Sequence, residues 1–207
     1  MDFKISNFKE LNIKNERVLI FKNFYKNPQK ILNIINKTKI YTHKPDCHSY
    51  NNKLFLDQRH EGYEEGINEI VNFFELLANQ KCNHKKRNLL TNYQLWKDKK
   101  FNNYKDNYWW PHYDEGFTLL IYLNKNNSKN GLNIYEDTPY TKEQLKNHEH
   151  VKPWHNKNNF KLLKSIQTPF NTAIFFNAKK LLHGCAVNNE KNFKEFRLNQ
   201  AIFFEEV

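Results

Sequence analysis

A chain of 207 residues with 33 Lys and Arg against 22 Asp and Glu carries a formal net charge of +11, and is long enough for one well-cored domain but short for two. Hydrophobic residues make up 39% of it and aromatics 15%, with only 5 Gly and 6 Pro, which excludes a disordered or fibrous chain. No stretch is apolar enough to span a bilayer, residues 1–10 lack the apolar run of a signal peptide, and Cys47, Cys82 and Cys185 form no C-x-x-C pair. The expectation is a cytoplasmic protein in a reducing compartment, with no disulfide framework and no membrane partner.

Lys and Asn are enriched along the whole chain rather than in one block. That spread fits the codon bias of an AT-rich genome, including that of a virus acting in a host cell, better than it fits a nucleic-acid interface. An interface of that kind gathers its basic residues on one face.

In chain order, the run RVLIFKNF at residues 17–24 is β-prone, and Asn27-Pro28 after it supplies a helix cap and first turn. Ile31, Ile34 and Ile35 then share one helical face. A second helix is predicted over residues 62–79, where Tyr63, Ile67, Ile70, Val71, Phe74, Leu77 and Ala78 recur at helical spacing with Glu64, Glu65, Asn68, Glu69, Asn72 and Glu75 outward. Residues 81–88 (KCNHKKRN) form a basic connection; Cys82 and His84 have no second pair nearby to complete a metal site. From Leu89 the pattern changes to short strands between polar turns: residues 89–96, 108–114, 117–123, 132–136, 160–166, 172–176, 184–187 and 196–205. About eight strands after two helices predict a double-sheet β barrel braced by the helices, within one domain spanning residues 1–207. Its N-terminal part is residues 1–88 and its strand-rich core residues 89–207. The polar, His-rich stretch 137–159 is a candidate substrate element, because long connections in compact domains are often binding loops or lids.

The chemistry concentrates in WWPHYD, residues 109–114. Residues two apart on a strand face the same way, so His112 and Asp114 are able to present an imidazole and a carboxylate to one metal ion. A second imidazole from a distant strand completes the facial triad that suits non-haem iron(II), leaving adjacent positions open for a chelating co-substrate and O2. His183, in Leu181-Leu182-His183-Gly184 after the strand at 172–176, is placed to supply it. Arg197 on the last strand is suited to grip a carboxylate, because its planar fork donates two parallel hydrogen bonds and keeps its charge.

The ordered set HYDEGFTLLIYLNK, NGLNIYE, TAIFFNAKKLLHG and FRLNQAIFF resembles the prolyl 4-hydroxylase-like branch of the 2-oxoglutarate/Fe(II) oxygenases over residues 89–205. The resemblance implies a mainly β fold with flanking helices, a double-stranded β-helix or jelly roll, with His112, Asp114 and His183 as iron ligands. It implies Arg197 as the anchor of 2-oxoglutarate, with Tyr122, directly before Leu123-Asn124-Lys125, bonding the same carboxylate. Tyr93, Gln94 and Asn199 are candidates to line that pocket. The implied activity is a dioxygenase reaction using Fe(II), 2-oxoglutarate and O2, with an amino-acid side chain, free or peptidyl, as the hydroxylated substrate. The chain departs from the family where a glycine pair is reduced to Asn130-Gly131 and where Asn133 replaces the usual Thr or Glu. Two alternatives differ from this reading. One is an AlkB-like nucleic-acid demethylase, whose second arginine, six residues after the first, is here Phe203. The other is a non-catalytic jelly-roll module that only binds metal.

Overall fold

The computed structural model describes residues 3–37, 51–55, 63–83, 89–93, 104–125, 131–136, 138–147, 154–187 and 197–205. The chain opens with a hairpin of β1 (Phe8–Ile13) and β2 (Glu16–Phe21). Its turn residues Lys14 and Asn15 have φ of 53° and 61°, the paired left-handed conformation that matches the twist of hairpin strands. Helix α1 (Pro28–Lys37) starts where Asn27-Pro28 predicts. The Asn27 side chain accepts the Lys30 N–H at 3.3 Å, a capping bond.

The remaining elements are β3 (Asn51–Phe55), α2 (Tyr63–Ala78), β4 (Lys81–Cys82), β5 (Leu89–Tyr93), β6 (Asn107–His112), β7 (Gly116–Tyr122) and β8 (Gly131–Tyr135), followed by α3 (Lys142–Asn147), β9 (Trp154–Asn156), β10 (Leu162–Gln167), β11 (Thr172–Asn177), β12 (Leu182–Ala186) and β13 (Arg197–Glu205). They form two antiparallel sheets: an eight-stranded one ordered β1-β2-β11-β7-β13-β5-β3 with β4 beside β13, and a five-stranded one ordered β10-β8-β12-β6-β9. The chain is therefore mainly β, with few helices.

Alternation along the strands gives the larger sheet two apolar faces. Leu119, Ile121, Ala173, Phe175, Ile202 and Phe204 pack outward against Ile31 and Leu32 of α1 and Ile67, Ile70, Val71, Phe74 and Ala78 of α2. This is the bracing that the helical periodicity predicts, although Leu77, expected on the same face, is 37% exposed. The opposite face, with Val18, Ile20, Leu120, Tyr122, Ile174 and Phe176, meets Leu132, Ile134 and Ile166 of the smaller sheet. The two sheets thus lie face to face, and Thr118, Leu120 and Tyr122 of β7 point between them.

The described residues of the stretch 137–159 hold more regular structure than its composition suggests. It joins β8 to β10, which pair with each other, and its described residues include α3 and β9, the latter paired with β6. Leu145 of α3, with Tyr140 and Phe160, packs against Tyr135, Leu182, Tyr108 and Tyr113 on the outer face of the smaller sheet. Residues 137 and 148–153 lie outside the described set.

Phe74 is the centre of the helix–sheet core: it is fully buried, with ring centroids 4.8 Å from Phe175 and 5.7 Å from Phe21. Phe74→Ala leaves a cavity there and is expected to lower the unfolding free energy by about 3–5 kcal/mol, read from the denaturant midpoint at unchanged slope.

Candidate metal centre

His112 and His183 are direct partners across the antiparallel pair β6–β12. Residues opposite one another on adjacent strands present their side chains to the same face at close range, and the two imidazole centroids are 4.3 Å apart. Asp114 was expected on the same strand as His112. The strand ends at His112, and Asp114 occupies the turn into β7. The turn nevertheless delivers the carboxylate, because backbone bonds tie it to the loop before His183. The Asp114 N–H donates to the Ala178 carbonyl at 3.1 Å and the Lys179 N–H to the Gly116 carbonyl at 2.9 Å.

The result is one compact donor set. His112, Asp114 and His183 have ligand atoms all within 4.8 Å of one another. Asp114 Oδ1 lies 3.7 Å from His112 Nε2, and Oδ2 lies 3.5 Å from His183 Nε2. His183 is 4% exposed at its side chain, Asp114 18% and His112 20%, so the group is sheltered yet reachable.

Each imidazole is held through its other nitrogen. His112 Nδ1 is 2.8 Å from the Trp110 carbonyl and His183 Nδ1 is 3.0 Å from the Leu181 carbonyl. A carbonyl oxygen only accepts, so both Nδ1 atoms carry the proton, and Nε2 is left for the metal. In neutral rings both Nε2 lone pairs then face the Asp114 carboxylate, a repulsive arrangement that a shared cation turns into attraction. The chemistry of the donors therefore fits a divalent metal ion. Thr118, buried on β7, donates its hydroxyl to Asp114 Oδ2 at 2.7 Å, and Phe176 sets its ring edge-to-face against His183 at 4.9 Å. Burial alone would raise the Asp114 carboxyl. Positive charge on the two rings, with a hydrogen bond from a protonated His183 and from the Thr118 hydroxyl, outweighs it and holds Asp114 well below the usual carboxylate range; with the rings neutral, a shared cation supplies that charge instead.

The other candidates divide by what the structure describes. Asn199 on β13 is directly opposite Tyr122 on β7, which is in turn opposite Thr172 on β11. These three make a buried polar row facing the smaller sheet, four residues along β7 from Thr118, or about 13 Å. The Asn199 side-chain oxygen has no hydrogen-bond partner among the described residues, a state that costs about 1–3 kcal/mol for a buried polar group. An amide oxygen only accepts, so a hydrogen-bond donor would offset that and a carboxylate would not; the donors this row holds for a carboxylate are the Tyr122 and Thr172 hydroxyls. Arg197 opens β13 and pairs through its backbone with Tyr93; the side chains of both lie outside the described set, as does Gln94. The Asn124 side chain accepts the Leu198 N–H at 2.7 Å, which ties the start of β13 to the end of β7. Asn133 faces away from the row: its amide reaches the Tyr135 hydroxyl on the outer side of the smaller sheet.

Sequence reasoning missed Thr118 and Phe176, and read Trp110 as barrel packing or a stacking surface for substrate rather than as a neighbour of His112. Thr118 was within reach of it, since it lies four residues before Tyr122 on the same strand face. At the end of the sheet that holds the ligands, α3 closes one side, with Lys146 on Glu115 at 3.4 Å and Lys142 over the Tyr113 ring at 4.8 Å.

Asp114→Ala is expected to abolish binding of Fe(II), or of Co(II) as its optical substitute, while the far-ultraviolet circular dichroism stays that of the parent. Thr118→Ala frees the carboxylate and is expected to weaken the metal about ten- to a hundredfold, the scale for losing an outer hydrogen bond to a ligand. Equilibrium titration under anaerobic conditions checks both.

No protein-family model matches this chain and no curated protein matches it, so the case for a metal rests on the donor geometry.

Proposed function

We propose that this chain is a 2-oxoglutarate-dependent Fe(II) dioxygenase of jelly-roll architecture that hydroxylates an amino-acid side chain, free or within a peptide. The observation that carries the reading is the His112–Asp114–His183 donor set between two antiparallel sheets. Two histidines and one carboxylate are the ligand choice of iron(II) oxygenases that keep adjacent positions open. The strand order supports the architecture: β5, β7, β11 and β13 belong to the larger sheet while β6, β8, β10 and β12 belong to the smaller. From β5 to β8 and from β10 to β13 consecutive strands thus pass from sheet to sheet, while β8 and β10 pair within the smaller one, a pattern compatible with a jelly roll.

Iron(II) with 2-oxoglutarate, when bound, supplies the activation of O2 that converts a substrate C–H into C–OH and 2-oxoglutarate into succinate and CO2. The residues of this chain do the rest. His112, His183 and Asp114 would hold the metal, with Thr118 fixing the Asp114 carboxylate. Arg197 takes the distal carboxylate of 2-oxoglutarate with Tyr122, beside Asn199 and Tyr93. Ile134, Ile174 and Phe176 make the surrounding interior apolar, which excludes water and strengthens the charge-assisted bonds. A demethylase of the AlkB type is disfavoured, since the place of its second arginine is Phe203, opposite Thr118.

The test is succinate formation from 2-oxoglutarate with Fe(II) and O2, screened against amino acids, peptides and methylated oligonucleotides. An amino acid or peptide is expected to raise turnover; a methylated oligonucleotide doing so instead would replace this reading with demethylation. Arg197→Ala is expected to leave metal affinity near the parent's and to weaken 2-oxoglutarate by about 2–5 kcal/mol, the scale for removing one partner of a buried charge pair. Unchanged 2-oxoglutarate dependence would move the anchor elsewhere, with Lys179 or Lys180 the next candidates.

A further inference from the structure

The backbone just before His112 is irregular in a way that bears on the metal. His112 pairs with His183, but Trp109, three residues earlier, pairs with Cys185, only two residues later. One extra residue on β6 is a β-bulge, a device that bends a strand and re-aims a side chain. Trp110 sits in it with φ of 44°, a conformation that a bulky L-residue adopts only when its surroundings impose it.

Three contacts show what the bulge does. The Trp110 carbonyl accepts from His112 Nδ1 at 2.8 Å. The Trp110 indole lies flat on the His112 imidazole, with centroids 4.2 Å apart and planes at 15°. Across the strand pair, Gly184 leaves room for the displaced carbonyls: a Cβ there would come within 2.9 Å of the Trp109 oxygen and 3.1 Å of the Trp110 oxygen. The residue that follows one ligand is thus bare so that the residue two before the other ligand can turn.

We infer that Trp110 is the positioning residue of the metal centre, setting both the tautomer and the ring plane of His112, with Gly184 as the feature that permits it. The carbonyl fixes the proton on Nδ1, and the stacked indole removes the ring's freedom to rotate about its side-chain bonds. A stack that served packing alone would need neither the left-handed backbone nor the carbonyl bond to the same imidazole. The inference rests on the metal reading of His112, Asp114 and His183.

The experiment titrates the parent chain, W110A, W110F and G184A with Co(II), alongside long-range proton–nitrogen NMR of His112 in the metal-free parent and G184A. The parent is expected to carry the His112 proton on Nδ1. W110A is expected to bind Co(II) about ten- to a hundredfold more weakly, as for lost outer support of a ligand. W110F keeps a flat ring and recovers most of the loss. G184A, with the indole retained, shows a similar loss and a mixture of His112 tautomers. Parent-like affinity in a folded W110A, a folded W110F as weak as W110A, or an Nε2-protonated His112 in the parent would each overturn the inference. Should W110A fail to fold, W110F and the parent's tautomer still decide it. A parent that takes up no Co(II) overturns the metal centre, and the inference with it; unchanged affinity in W110A overturns the inference alone.

Discussion

The register between β6 and β12 is the constraint on which the site depends. Only one pairing sets His112 opposite His183. A slip of one residue would turn one imidazole to the outer face of the smaller sheet, where Tyr135, Leu182 and Phe160 pack. The register is held from the β8 side. Leu132 and Ile134 of β8 are buried against the larger sheet, and β8 in turn fixes β12 by pairing Ile134 with His183. The hydrophobic burial that makes the fold therefore also makes the donor set.

Asp114 is coupled to this arrangement by different means. It lies beyond the end of β6, so strand alternation does not aim it. Backbone bonds to the β11–β12 loop and the Thr118 hydroxyl do so instead. The carboxylate is consequently tied to both sheets, to the smaller through the turn that follows His112 and to the larger through β7. A half-buried, ionised carboxylate facing two neutral imidazoles is unfavourable unless positive charge joins it. The arrangement is therefore complementary to a cation, and a buried polar row of Tyr122, Thr172 and Asn199 lies about 13 Å along β7 from Thr118.

Much of this was legible in the sequence, for physical reasons that differ by element. The strands β7, β11 and β13 carry dense Ile, Leu and Phe with alternation, and all three appear within a residue or two of their expected bounds. Helix α2 announced itself by its apolar face, and α1 by Asn27-Pro28. The spacing of His112 and Asp114 was read correctly for proximity but for the wrong reason, since a pinned turn rather than a strand brings them together. The hairpin strand β1 was missed because its side chains are mostly exposed, so FKELNI shows no apolar face to read. Helix α3 and strand β9 were missed because their polar composition resembles a loop; packing of Leu145 on Tyr135 and Leu182, and pairing of β9 with β6, order them, a tertiary effect that no local pattern contains. Gly184 and Trp110 were unreadable as a pair, because the bulge that links them exists only once two strands distant in sequence are set side by side.

The central claim is that one metal ion and 2-oxoglutarate bind together between the sheets. The most direct measurement adds Fe(II) and 2-oxoglutarate, separately and together, to the metal-free protein without oxygen and follows visible absorption. Chelation of iron(II) by the keto acid in this site predicts a charge-transfer band that needs both additions and is lost in Asp114→Ala. The absence of any such band, with 2-oxoglutarate binding unaffected by Fe(II), would contradict the account.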